Sequence, residues 1–401
     1  MSLGNAVIGQ SGGPTAVINQ SLVGAVEALQ ASGRVDKILG ARHAVSGIVK
    51  DDYIDLTKHS AQFLDRIAIT PSSALGSSRD KPDAAYCKRI FESFTRQDVR
   101  FFFYAGGNDS SDTCRIIAEM AAASGYDLTA YHIPKTIDND LMVNDHTPGF
   151  GSAARFVAQA FMGDNQDNAA LPGIKINVIM GRHAGFLTAA AGLGRREGKH
   201  DGPHLIYVPE VAFDEAIFLA DVERVYTKLG RCLIAVSEGI HDKDGNAIIT
   251  RLMDNIEKDA HGNVQLSGTG ALGDLLADLV KDKLGTKLKQ KLRVRADTFG
   301  YLQRSFAGVA SPVDQIEARE CGRQAVIHAM AGAHKSGSIA MVRTSNRPYT
   351  IDYRRIEISE VAALTKHMDP KYIVEGCDIA PEFFDDYLAP IVGELPVIES
   401  F

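Results

Sequence analysis

The chain has 401 residues, 45% of them hydrophobic and 23% charged, with a formal net charge of −7. Those totals suit about two domains with ordinary cores, and the acidic balance argues against nucleic acid or a membrane surface as partner, since both select a basic field. No apolar run of roughly 18 residues is present, no basic-then-apolar leader opens the chain, and the five cysteines are scattered without a C-x-x-C pair, so a cytoplasmic protein without disulfides or structural zinc is expected.

The first predicted element is the strand of "NAVIGQSGG", which ends at Gly12 and Gly13 and leads into the helical pattern "TAVINQSLVGAVEALQASG". Glycine there lets backbone N–H groups approach a phosphate, because no Cβ intrudes. The alternative is a tight turn that holds nothing. "VRFFFYAGG" and "SSDTCRIIAEMAAASG" repeat the arrangement, with Asn108, Asp109 and Ser110 at the helix start. They serve either as caps or as site residues, and a carboxylate at Asp109 is out of place in a phosphate cradle.

Next comes "IPKTIDNDL", which carries Lys135, Asp138 and Asp140. In an extended segment the two aspartates point the same way. A carboxylate beside a lysine can take a proton from a hydroxyl or hold a metal near a phosphate. Phosphoryl transfer needs little beyond positioning, positive charge and such a base. The alternative is a solvated turn rich in Asx residues. "KINVIMG" and "RCLIAVSEG" are further strands, and the first runs into "MGRHAG". Arg182 there offers a planar fork to a phosphate or is a surface charge, and His183 reads as structural.

"KLRVRADTFGYLQRS" sets Lys291, Arg293, Arg295 and Arg304 against Asp297. That local basic excess suggests an anion site or, more plainly, a strand edge blunted by charge. "REGKHDGPH" and "HDKDGNAI" read as surface loops, and the residues after "IDYRRIEIS" carry no clear pattern. Strands apolar on both faces and alternating with helices indicate doubly wound parallel sheets. Ligands of such sheets sit beyond the C-terminal strand ends.

Two glycine patterns imitate a dinucleotide fingerprint. "GFGSAA" (149–154) follows "LMVNDHTP", and "GTGALG" (268–273) follows "HGNVQL". Neither predecessor is the buried strand that the fingerprint needs, so a nicotinamide enzyme is not expected.

"SGGPTAVIN", "LGSSRD", "GGNDSSDT", "PKTIDNDL", "MGRHAG", "SEG" and "GYLQRS" occur in the order found in the phosphofructokinase family, and the chain resembles that family's pyrophosphate-using branch over about residues 5–325. The resemblance implies an α/β protein of two doubly wound parallel-sheet (Rossmann-like) domains, with the active site in the cleft between them. Residues 1–149 plus about 303–355 would take the phosphoryl donor, and 150–302 plus about 356–401 the sugar phosphate. The implied reaction is Mg2+-dependent, reversible phosphoryl transfer from pyrophosphate to the 1-hydroxyl of fructose 6-phosphate. Asp138 would accept the hydroxyl proton, Thr136 would contact the moving phosphoryl group, Ile137 would lie in the same substrate loop, and Asp140 would support base and metal. Met180, Gly181 and Arg182 would hold the sugar phosphate, Glu238 a sugar hydroxyl, and Tyr301 with Arg304 the 6-phosphate. Gly12, Gly13, Arg79 and Lys135 would bind pyrophosphate. Arg295 matches an arginine supplied by a neighbouring subunit, which implies a homodimer or homotetramer with a shared active site. Lys175 lies near the place of a second such arginine without matching it.

Two positions separate the donors. ATP-using members carry Gly where this chain has Asp109 and Lys135, and both residues here match the pyrophosphate users. Asp109 would stand where the α-phosphate of ATP passes, and Lys135 supplies a cation to the compact donor. Asn108 replaces the family's metal-binding Asp. It keeps an oxygen ligand but not the charge, so Mg2+ would lean also on pyrophosphate, water, Asp109 or Asp138. The rival readings are an ATP-dependent 6-phosphofructokinase and a non-catalytic anion-binding paralogue; the retained Asp138 speaks against the second.

Overall fold

Short apolar runs that end in glycine or proline supply most strands of two sheets. The computed structural model describes residues 3–252 and 270–400. The first unit comprises Met1–Ser152 and Arg304–Lys366, and the second comprises Ala153–Gln303 and His367–Phe401. The strands in chain order are β1 (Asn5–Gln10), β2 (Ile38–Ala41), β3 (Tyr53–Asp55), β4 (Val99–Gly106) and β5 (Thr129–Pro134) in the first unit. Then come β6 (Ile174–Ile179), β7 (Leu205–Tyr207), β8 (Cys232–Ser237) and β9 (Val294–Thr298) in the second, and β10 (Ser336–Asn346) and β11 (Tyr349–Ile356) back in the first.

The first sheet has the order β11-β10-β5-β4-β1-β2-β3. It is parallel from β10 through β2, with an antiparallel strand at each edge. Its central strands are buried on both faces, as their unbroken apolar runs require. One face packs on Leu22, Val26 and Leu29 with Ala325 and Val326; the other packs on Ile90, Phe94, Cys114 and Ile117. The chain leaves β1 for β2 on one side and returns to β4 on the other. The C-terminal ends of β1 and β4 therefore flank a topological switch point, where a doubly wound sheet opens a crevice for a ligand.

The second sheet has the order β7-β8-β6-β9, is parallel throughout, and has its own switch point between β6 and β9. Phe213, Phe218 and Val222 join Leu272 and Leu276 in its core. The segment "TPGFGSAARF" begins the helix Phe150–Ala170, and the first crossing between units falls within it. The last crossing lies after Lys366, further along than the expected break near 355. The physical reason is that Ile358 and Ala362 still belong to the first unit's core. All five cysteines are buried and unpaired. Among the described residues no helix is long and apolar enough to cross a membrane.

Candidate active site

Loops leave the C-terminal ends of β1, β4 and β5 together. Gly12 has φ 75°, the left-handed region that favours glycine. Its N–H donates to Ser78 O at 3.0 Å and its carbonyl accepts from Ser77 Oγ at 2.6 Å, so the loop bearing Arg79 is tied to the β1 turn. Lys135 is only 4% exposed, and its Nζ donates to Gly13 O at 2.7 Å. A Cβ built on Gly13 would lie 2.9 Å from Arg304 Nη1, and one on Gly12 would lie 3.3 Å from Lys135 Nζ. The two glycines thus leave room for two cations. Burial, then repulsion from Arg304, pushes the Lys135 ammonium down to about 7; Arg79 adds to the repulsion, while Asp138 and Asp140 oppose it. Cations held together at such a cost mark a place for an anion.

The β4 end is fixed by His132. Gly106 O accepts from Lys135 N at 3.0 Å and lies 2.8 Å from His132 Nε2. That contact makes Nε2 the donor and leaves Nδ1 to accept from Ser338 Oγ at 2.8 Å. Burial, as the main cause, pushes the His132 imidazolium down to about 4, so the ring is neutral at physiological pH. The helix Asn108–Ser124 starts immediately after Gly107. Asp109 is exposed on its first turn, with Lys81 Nζ at 3.9 Å.

In the acidic loop, Thr136 N donates to Pro148 O at 3.2 Å and Asp138 N donates to Thr136 Oγ1 at 3.1 Å. Ile137, between them in the chain, is buried. Asn108 Nδ2 donates to Asp140 Oδ2 at 3.1 Å, which leaves Asn108 Oδ1 as a buried oxygen with no hydrogen-bond partner. Native structures keep few such orphans, and an oxygen of this kind fits a hard cation such as Mg2+. Among the described residues no cluster of three His, Cys, Asp or Glu could hold a metal unaided. Any Mg2+ would therefore take most of its oxygens from water and substrate.

In the second unit, loops leave β6, β8 and β9. Gly181 has φ 135°, and a Cβ there would lie 2.6 Å from Ala184 O. Ser237 Oγ donates to Gly181 O at 2.6 Å. A Cβ on Gly239 would lie 2.0 Å from Arg182 O, so the backbone after Glu238 packs directly on that of Arg182. Arg182 and the buried Glu238 are thereby brought to one place. Met180 N donates to Gln303 Oε1 at 3.2 Å, which joins the end of β6 to the segment that carries the exposed Tyr301. Arg304 belongs to the first unit, at Gly13 and Lys135. Arg295 is exposed on the edge strand β9. Lys175, opposite it on β6, is engaged within the chain by Asp164 and by Asp297 at 3.1 Å.

Residues 5–329 match the family described as Phosphofructokinase. The chain belongs to the phosphofructokinase family. It is 55% identical, over 98% of its length and 95% of the relative's, to the pyrophosphate–fructose 6-phosphate 1-phosphotransferase of Rhodospirillum rubrum. It is 38% identical to the enzyme of that name from Xanthomonas campestris, over 99% of this chain and 94% of that one. Among solved structures it resembles the pyrophosphate-dependent phosphofructokinase of Nitrosospira multiformis, with TM-score 0.86 and 33% identity, covering 99% of this chain and 94% of that one.

Within this phosphofructokinase the first glycine decoy has a different use. Gly149 N and Ser152 N donate to the two carboxylate oxygens of buried Asp314, at 2.9 and 2.8 Å. A side chain of the protein already occupies that helix start, so a cofactor pyrophosphate has no place there. The second decoy begins at residues that lie outside the described ones. Sequence reasoning missed His132, Gln303 and Ser237. His132 and Ser237 sit in apolar strands where they read as core, and Gln303 had only its closeness to Arg304 as a signal.

Lys135 also has a stability consequence. Its pKa is lowered on folding, so between about 7 and its ordinary 10.5 the unfolded chain holds more protons than the folded one. Stability contributed by this group therefore rises with pH through that window, by at most about 1.4 kcal/mol per pH unit. Lys135→Met is expected to be more stable than wild type near pH 7, with a flatter pH dependence up to pH 10. Urea unfolding of both proteins at several pH values measures the difference; identical slopes would show that Lys135 is not a strained cation.

Proposed function

We propose that this phosphofructokinase transfers a phosphoryl group reversibly between pyrophosphate and the 1-hydroxyl of fructose 6-phosphate, giving fructose 1,6-bisphosphate and phosphate. The observation that carries the donor assignment is Lys135, a buried ammonium bonded to the Gly13 carbonyl and pressed by Arg304 and Arg79. A short polyanion answers that convergence.

Gly12, Gly13, Arg79 and Lys135 bind the pyrophosphate. Asp138 takes the proton of the attacking hydroxyl, which makes the oxygen a competent nucleophile, while Thr136 steadies the phosphoryl group in flight. Met180, Gly181, Arg182 and Glu238 hold the sugar phosphate, and Tyr301 and Arg304 its 6-phosphate. The place of Arg304 against Gly13 also puts its charge on the donor loop. Asn108, through Oδ1, and Asp140 would hold Mg2+. When bound, that ion supplies positive charge to the phosphate oxygens. Exposed Arg295 on an edge strand suits service to a neighbouring copy of the chain in a homodimer or homotetramer. Five unpaired cysteines accord with a reducing cytoplasm.

The test is steady-state kinetics of the wild type with pyrophosphate and with ATP, using fructose 6-phosphate and a longer ketose phosphate as acceptors. Turnover with pyrophosphate at least about 100-fold more efficient than with ATP is expected. Equal use of both donors would remove the donor assignment, and inactivity with both would favour an anion-binding paralogue.

A further inference from the structure

We propose that Lys366 is a positioning residue, which holds Asp138 and Asp140 in place by clamping the backbone of the loop that carries them. The proposal rests on the reading of Asp138 as the base.

Between Thr136 and Asp145 the chain forms neither helix nor strand. Two of its residues are left-handed, Asn139 at φ 58° and Val143 at φ 65°. Asparagine tolerates that region, but a β-branched valine is strained there. Such strain persists only where the surroundings over-determine the conformation.

Both ends of the loop also have ties that do not involve Lys366. At the start, Thr136 pairs with Pro148 O, and Thr147 Oγ1 donates to Thr136 O at 3.0 Å. At the end, the Asp145 carboxylate meets His146 Nδ1 at 2.8 Å and accepts from Arg343 Nε at 3.1 Å. His146 is held in turn by Glu317, 2.7 Å from its Nε2, and Tyr349 OH donates to the other oxygen of that carboxylate at 2.5 Å.

In the middle, Asp138 N is held by Thr136 Oγ1 and the Asp140 carboxylate by Asn108 Nδ2, and Lys366 links this part to the loop's end. Lys366 N donates to Asp140 O at 2.7 Å. Its Nζ donates to Asp145 O at 2.9 Å and Asn144 O at 3.0 Å, with Asn139 Oδ1 at 3.4 Å. An ammonium has three donors, and these three contacts all lie on this loop. The ammonium thus ties Asn139, which lies between the two aspartates, to the chain just after strained Val143, while the main-chain N–H of Lys366 holds Asp140 O whatever its side chain. Phosphoryl transfer is sensitive to small errors of position, so releasing this grip should slow the chemistry more than it weakens binding. Lys366 falls in a stretch whose sequence carries no pattern that marks a site.

Lys366→Met keeps the side-chain stem and removes the ammonium. With pyrophosphate and fructose 6-phosphate, kcat is expected to fall by about 30-fold or more, while KM for each substrate changes by less than about threefold. A kcat within about threefold of wild type, or a loss seen only in KM, would overturn the proposal. If Lys366→Met does not fold, Lys366→Gln is measured in the same way. If neither folds, Lys366 maintains the unit as a whole and the positioning role is wrong. A wild type inactive with pyrophosphate would remove the underlying reading. An active wild type with an undiminished Lys366→Met would remove this proposal alone.

Discussion

Asp138→Asn is expected to lower kcat by about 10³-fold, with KM for either substrate moved by less than about threefold. Asparagine has the shape of aspartate, and the backbone N–H of residue 138 stays bonded to Thr136 Oγ1. Binding geometry is therefore retained, while the oxygen proposed to take the hydroxyl proton is lost. A factor of 10³ corresponds to about 4 kcal/mol of barrier, within the range of a well-placed general base. Under that proposal the same carboxyl returns the proton when the reaction runs backwards, from fructose 1,6-bisphosphate and phosphate. The loss is therefore expected in both directions and in similar measure. Steady-state assays in each direction check this. If more than about a tenth of kcat survives, the proton goes elsewhere, and Asp140 becomes the first group to replace.

What the sequence made legible was local. Gly12, Gly106 and Gly181 end apolar runs, and each lies at the C-terminal end of a central strand, beside a switch point. That link between pattern and place follows from how parallel sheets are wound, so the donor loop, the acidic loop and the "MGR" loop could be found from residue types alone. The contacts that hold these loops came from far away in the chain and left no trace in spacing. Ser338 fixes the tautomer of His132 from 206 positions away. Lys366 grips Asn144 from 222 positions away, out of a segment that carried no pattern. The late crossing after Lys366 belongs with this. Ile358 and Ala362 are ordinary apolar residues, and only packing assigns them to the first core rather than the second. The orphaned oxygen of Asn108 was equally hidden, because it depends on which way the amide turns to meet Asp140.

Donor choice should move when Asp109 and Lys135 are both replaced by Gly, and the two changes are not expected to contribute equally. Lys135 is buried, touches the Gly13 carbonyl and carries the repulsion of Arg304. Removing it takes a desolvated cation away from a compact anion, so Lys135→Gly alone should lower kcat/KM for pyrophosphate by about 10²-fold or more. Asp109 is different. Its side chain is 59% exposed, with Lys81 Nζ 3.9 Å away. Two unit charges at about 4 Å repel by roughly 4 kcal/mol in partly screened surroundings but only about 1 kcal/mol in water, and Asp109 sits nearer the second limit. Charge alone therefore gives Asp109→Gly less than about a tenfold gain in ATP use. The larger part of its expected effect is the space its carboxylate fills at the start of the helix, which matters only once the donor has a third phosphate to place, as ATP does and pyrophosphate does not. The double variant is thus expected to use ATP measurably better than either single variant, at the expense of pyrophosphate. Competition assays with both donors and fructose 6-phosphate measure the ratio directly. Undiminished pyrophosphate use by Lys135→Gly would sink this account of the donor site. ATP use restored by Asp109→Gly alone would place the discrimination at the helix start and leave Lys135 to the binding of the small donor.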